Sequence, residues 1–150
     1  MTIYFYSNRE KPYGCFSNFS AHGFTLDGVW WPTSEHYFQA QKFVGTPHAD
    51  QIRQVKLPKD AARLGRQRTR PLRSDWEQVK DNVMRKGVRC KFETHADIRE
   101  TLLSTRDEEL VENAPSDYYW GCGQTGAGKN MLGKILMEVR EALRSHNSRA

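Results

Sequence analysis

Thr33-Ser34-Glu35-His36-Tyr37-Phe38-Gln39-Ala40-Gln41-Lys42-Phe43 follows Pro32 and precedes Gly45-Thr46-Pro47. Thr33 or Ser34 can cap a helix and Gly-Thr-Pro stops one, so the stretch predicts a helix over about 35–43. Glu35 and Lys42 are two turns apart and share a face, with Gln39 between them on it. Such a stripe reads in two ways. It is a solvent-exposed polar face, with Glu35 favouring the helix dipole from the first turn. Alternatively it lines a cleft and offers an acid, an amide and an amine together.

N-terminal to this helix, Ile3-Tyr4-Phe5-Tyr6 reads as a short strand, and Tyr13 to Phe19 is turn-rich. Phe24-Thr25-Leu26, Asp27-Gly28 and Val29-Trp30-Trp31 read as a hairpin, because Asp-Gly supplies the positive φ angles of a type I′ turn. C-terminal to the central helix, further helices are expected over about 50–56 and 59–66, the latter with Pro58 in its first turn. Ser74-Asp75-Trp76-Glu77 fits a capping box, in which Ser and Glu each satisfy a free backbone N–H. The helix behind it carries Trp76, Val79, Val83, Val88 and Phe92, with Gly87 as a weak point costing about 1 kcal/mol relative to Ala. Thr94 can cap the next helix, with Ile98, Leu102 and Leu103 inward. Glu109 to Glu112 reads as a strand. A last helix over about 130–144 shows an apolar stripe of Leu132, Ile135, Leu136, Val139 and Leu143. Residues 145–150 read as a frayed tail. The fold class is mainly α, about six helices with three or four short strands.

The 150 residues fit one domain with a core of its own. No stretch approaches the roughly 20 apolar residues of a membrane span, and the first residues show no signal-peptide pattern. Three cysteines far apart (Cys15, Cys90, Cys122) argue against a disulfide framework and for a reducing, cytoplasmic setting. No metal-ligand spacing occurs among the histidines and cysteines, so neither a metal nor a cofactor is expected. The net charge of +5 is uneven: from Arg53 to Arg73 eight Lys or Arg face one acid, Asp60. This stretch suits a phosphate-bearing partner or a solvated basic face.

Gly123-Gln124-Thr125-Gly126-Ala127-Gly128-Lys129 has the spacing of a P-loop, but the magnesium-binding Ser or Thr is replaced by Asn130. Little chain follows it for the rest of such a fold. Two readings remain: backbone N–H groups of Gly123 to Gly128 leading into a helix N-terminus as an anion site, or a tight turn that starts the helix. Asp117-Tyr118-Tyr119-Trp120-Gly121 sets a carboxylate and three aromatics before this loop. Such rings stack on bases or cover the core.

Taken in order, Phe16-Ser17-Asn18-Phe19, the 33–43 helix, Leu64-Gly65-Arg66, Trp76, Val83-Met84, Lys91-Phe92, Leu110-Val111-Glu112, Asp117 with Trp120-Gly121, and Asn130-Met131-Leu132-Gly133 with Arg140 resemble the YbiA-like or NADAR family of N-glycosidases. The resemblance implies a domain over residues 4–144. It implies hydrolysis of a bond between ribose C1′ and an amine nitrogen, either in ADP-ribosylated guanine of nucleotides or nucleic acid, or in phosphoribosylamino-pyrimidine intermediates of riboflavin synthesis. It places the essential carboxylate at Glu35, a Schiff-base lysine at Lys42, and further catalytic and binding duties at Asp117 and Trp76. On that reading Gln39, Asn18, Trp120 and Asn130 contact sugar or base. Arg66, with Gly123 and Gly126, meets phosphate. The rival reading is a non-catalytic module binding ADP-ribose or nucleic acid with the same residues.

Overall fold

Asp27 and Gly28 both take positive φ angles, 52° and 79°. They close an antiparallel hairpin of β2 (Phe24–Leu26) and β3 (Val29–Trp31), with Leu26 opposite Val29 and Phe24 opposite Trp31, as the Asp-Gly pair predicts. The remaining elements are β1 (Thr2–Phe5), a 3₁₀ turn at Tyr13–Phe16, α1 (Ser34–Gln41), α2 (Pro47–Gln54), α3 (Pro58–Gly65), α4 (Trp76–Thr94), α5 (Ala96–Ser104), β4 (Glu109–Glu112) and α6 (Met131–Arg149). The structure, a computed structural model, describes residues 1–149, with side chains through residue 145. Six α-helices and four short strands among the described residues match the expected class.

Helix boundaries differ from the sequence reading where a local signal was outweighed. α2 begins at Pro47, not Asp50, because Thr46 is extended and Pro47 takes the first helical position, where its missing N–H costs nothing. α4 begins at Trp76, inside the expected capping box and one residue later than a Ser74 cap would place it: the amide of Val79 donates to Asp75 O, and Glu77 pairs with Lys80 at 2.7 Å. α5 is entered from His95 without a side-chain cap. α6 continues through the expected tail to Arg149; Ser, His and Asn are middling helix formers, and no Gly or Pro interrupts them. Ala150 lies outside the described residues.

The chain divides into two compact units. One comprises Met1–Ser20 and the chain from Phe92 onward. In it β1 pairs in parallel with β4, Thr2 opposite Glu109 through Phe5 opposite Glu112. α6 packs on β4, burying Leu132, Ile135, Leu136, Val139 and Leu143 beside Leu110 and Val111. Phe16 stacks edge-on against Phe5, 5.6 Å between ring centres, and meets Phe92. Arg140, buried, donates to Thr105 Oγ1 and to Glu108 O, so a charge inside the core is satisfied by neutral acceptors.

The other unit is Ala21–Lys91. Here α1 packs against α2, α3 and β3. Phe24, Trp31 and Tyr37 form an edge-to-face cluster, an arrangement worth about 0.5–1.5 kcal/mol per pair beyond the area it buries. Ala61 and Ala62 are fully buried, and their small side chains let α3 approach α1 closely. Gly87, weak as a helix former, is explained by Tyr37: a Cβ at Gly87 would sit 2.8 Å from its ring.

Candidate active site

α1 is buried from Ser34 to Ala40, and four of those residues are polar. Burial of this kind is stable only if the polar groups find partners. Thr33 caps the helix, accepting from His36 N at 3.1 Å. The His36 ring spans 2.8 Å contacts to Thr33 Oγ1 and to Val55 O. A carbonyl only accepts, so Nε2 carries the proton and Nδ1 accepts from Thr33. Burial lowers the pKa of this ring, keeping the neutral form that the pairing needs.

On the second face, Glu35, Gln39 and Lys42 are all buried, at 8%, 5% and 7% exposure. The stripe is therefore not a solvated face. Gln39 Nε2 donates to Glu35 Oε2 at 2.9 Å. That orientation leaves Gln39 Oε1 buried and, among the described residues, without a donor, a cost of about 1–3 kcal/mol. Gly65, the last residue of α3, explains the geometry. A Cβ there would lie 2.0 Å from Gln39 Oε1, so any other residue at this position would have to displace the Gln39 side chain.

Lys42 Nζ points at the carbonyl of that same Gly65, 3.4 Å away. It also lies over the rings of Phe38 and Trp76, at 5.7 and 5.9 Å from their centres. Burial, then the nearby Arg68, lowers the Lys42 amine to about 8, with Arg66 and Lys80 adding to the effect and Glu35 opposing it. Trp76 is 6% exposed and packs edge-on against Phe38 at 5.1 Å, which makes it a wall of the amine's surroundings. Arg66 is exposed at the C-terminus of α3, as are Lys56, Lys59, Arg63, Arg68 and Arg70 of the basic stretch.

Asn18, Asp117, Trp120, the glycine-rich loop and Asn130 belong to the other unit. Asn18 is buried. Asp117 Oδ1 accepts from the amides of Tyr119 and Trp120, at 3.0 and 2.8 Å, so it organises the turn that carries Trp120. Trp120 is half-buried, edge-on to Tyr119. Asn130, at φ 53°, bridges to β4: its Nδ2 donates to Leu110 O and its Oδ1 accepts from Glu112 N, both at 2.9 Å. The amide of Asn130 thus acts as an extra strand residue.

Several amides of the glycine-rich loop and of the start of α6 donate to nearby backbone carbonyls. The amide of Gly123 donates to Ala114 O, that of Gly126 to Gly123 O and that of Gly128 to Cys122 O. Those of Lys129, Asn130, Met131 and Leu132 donate to Tyr118, Gly121, Tyr119 and Trp120 carbonyls. These bonds hold the loop as a tight turn leading into α6. Among the described residues no cluster of His, Cys, Asp and Glu is placed to hold a metal ion, and no helix is long and apolar enough to cross a membrane. Gly65 and Arg68 are the site residues that the spacing did not single out. Gly65 lies inside the Leu64-Gly65-Arg66 motif, between an apolar and a charged residue, and no local spacing ties it to α1.

The NADAR domain model matches residues 4–144. The N-glycosidase Npun_R5314 of Nostoc punctiforme is 57% identical over 148 residues, covering 97% of this chain and 94% of that protein. The N-glycosidase YbiA of Escherichia coli (strain K12) is 55% identical over 141 residues, covering 94% and 88%. The NMR structure of E. coli YbiA superposes with a TM-score of 0.92 at 51% identity, covering all of this chain and 89% of that one. A chloroplastic riboflavin biosynthesis protein, PYRR of Zea mays, is 43% identical over 146 residues, covering 87% of this chain and 23% of that longer protein. The fold is that of a single YbiA-like domain, and the chain belongs to the NADAR family, with YbiA among its relatives.

Proposed function

We propose that this protein is an N-glycosidase that hydrolyses the C1′–N bond between a phosphorylated ribose and an exocyclic amine. Its substrate class is ADP-ribosylated guanine, in a nucleotide or nucleic acid, or the phosphoribosylamino-pyrimidine intermediates of riboflavin biosynthesis. Family membership supports the reaction class. The observation that carries the mechanism is Lys42, a buried amine lowered to about 8 on the same helix face as Glu35 and Gln39. At pH 7 an ordinary lysine is neutral in roughly one molecule in three thousand, and one lowered this far in roughly one in ten. The gain of about 300-fold in free amine is what a nucleophilic lysine requires.

The chemistry balances without a cofactor. The N-ribosyl amine opens its furanose ring to an imine, the ring oxygen taking a proton. Lys42 Nζ adds to C1′. Glu35 carries a proton from the Lys42 nitrogen to the departing nitrogen, whose bond to C1′ breaks with its electron pair. The sugar is then held on Lys42 as a Schiff base. Water adds to C1′, Lys42 departs as the amine, and the ribose closes again. One water is consumed and nothing is oxidised. Gln39 Oε1 is an acceptor suited to a sugar hydroxyl, and Arg66 a cation suited to phosphate.

The test is incubation with ADP-ribosylated guanosine and, separately, with a phosphoribosylamino-pyrimidine, following free base by mass spectrometry. Base released from either, lost in Glu35→Gln, and a borohydride-trapped sugar mapped to Lys42 are the expected results. Tight binding with no base released from either would establish instead a non-catalytic ADP-ribose or nucleic-acid module.

A further inference from the structure

The last turn of an α-helix leaves carbonyls with no helical partner. At the end of α3 two are taken by side chains. Leu64 O accepts from His48 Nε2 at 3.1 Å. Gly65 O accepts from Arg68 Nη1 at 2.9 Å and, at the longer 3.4 Å, from Lys42 Nζ. A carbonyl at a helix C-terminus carries the negative end of the helix dipole and favours a cation beside it. Held by Lys42 alone, Gly65 O would therefore stabilise the ammonium form and disarm the amine. Arg68 folds back over its own turn and makes the shorter, charge-assisted bond to that oxygen.

The charged groups around the amine come from each neighbouring element. Glu35 on α1 favours the ammonium; Arg66 and Arg68 beyond α3, and Lys80 on α4, oppose it. Among these Arg68 acts most strongly, and it alone also occupies the acceptor that Lys42 reaches for. A guanidinium stays charged throughout the working pH range, so its influence on Lys42 is constant.

We propose that Arg68 is a positioning residue for Lys42: it makes the shorter bond to the Gly65 carbonyl and places a fixed positive charge beside the amine, which loosens the hold of that carbonyl on Lys42 and leaves more of the amine free to attack. This rests on the reading of Lys42 as the nucleophile. Arg68 need not touch the substrate.

The experiment is an NMR titration of the full chain carrying ¹³Cε-labelled lysine, the Lys42 signal assigned by its loss in Lys42→Arg, with pH–rate profiles run in parallel. In Arg68→Gln the Lys42 midpoint is expected to rise by about 0.5–1 pH unit, with kcat at pH 7 falling about 3–10-fold and recovering at high pH. Arg68→Lys, which keeps the charge and a donor, is expected to restore most of both. An unmoved Lys42 midpoint in Arg68→Gln overturns the assignment. That includes the case of a raised KM with an unchanged pH profile, which would make Arg68 a substrate contact. Because the titration is read without substrate, a moved midpoint with no borohydride adduct on Lys42 would overturn the nucleophile reading instead, so the two failures are told apart.

Discussion

Gln39 lies directly against the α-carbon of Gly65: a methyl group added there would fall 2.0 Å from Gln39 Oε1. This contact brings the end of one helix onto the polar face of another, and with it the carbonyl that Lys42 and Arg68 share. The arrangement leaves a buried acceptor unpaired and a lysine out of water. Costs of this kind collect where chemistry is done.

Gly65→Ala tests the contact. On helix propensity alone Ala would stabilise the end of α3 by up to about 1 kcal/mol. Overpacking against Gln39 is expected to outweigh this and cost about 1–3 kcal/mol, read as a lower urea midpoint, together with a loss of kcat. A variant as stable and as active as the parent would show that the side chain of Gln39 yields at no cost.

Glu35→Gln keeps the acceptor for Gln39 Nε2, so the fold is expected to hold, with a denaturation midpoint close to the parent's. Turnover should fall about 10²–10⁴-fold, the usual share of a proton-transfer group. Equal turnover would remove Glu35 from the proton path.

The pH dependence of stability has a definite sign. The Lys42 amine is lowered in the folded chain, to about 8 from 10.5, so between these values the unfolded chain holds more protons and stability rises with pH. Below pH 8 the folded state bears the full cost of a buried ammonium. Lys42→Met is therefore expected to be more stable than the parent at pH 7, by roughly 1–3 kcal/mol, with the difference shrinking from pH 8 to 10.5. A pH-independent difference in urea unfolding would contradict a displaced Lys42. The same ionisation is expected as the acid limb of the kcat profile.

Asn130→Ala removes the side-chain bonds to Leu110 O and Glu112 N and puts Ala at a φ of 53°. A stability loss of about 2–4 kcal/mol is expected. If instead stability held while only substrate affinity fell, Asn130 would be a ligand contact rather than a strand bridge.

What the sequence determined by itself was local. The Asp27-Gly28 turn, the apolar stripe of α6, the existence of six helices and the shared face of Glu35, Gln39 and Lys42 follow from spacing and from residues that permit or forbid particular φ angles. These are properties of a few consecutive residues. The tertiary structure alone decided what lay across those faces. It paired β1 with β4, more than a hundred residues apart. It buried the α1 stripe, for which spacing allowed either a solvated face or a cleft, and it tied several loop amides to carbonyls of the loop and of the turn before it. It set Gly65 against Gln39 and Arg68 beside Lys42, 26 residues apart in the sequence. Burial, desolvation and the choice of hydrogen-bond partner depend on what packs against a group, and no periodicity in a single segment encodes its neighbour.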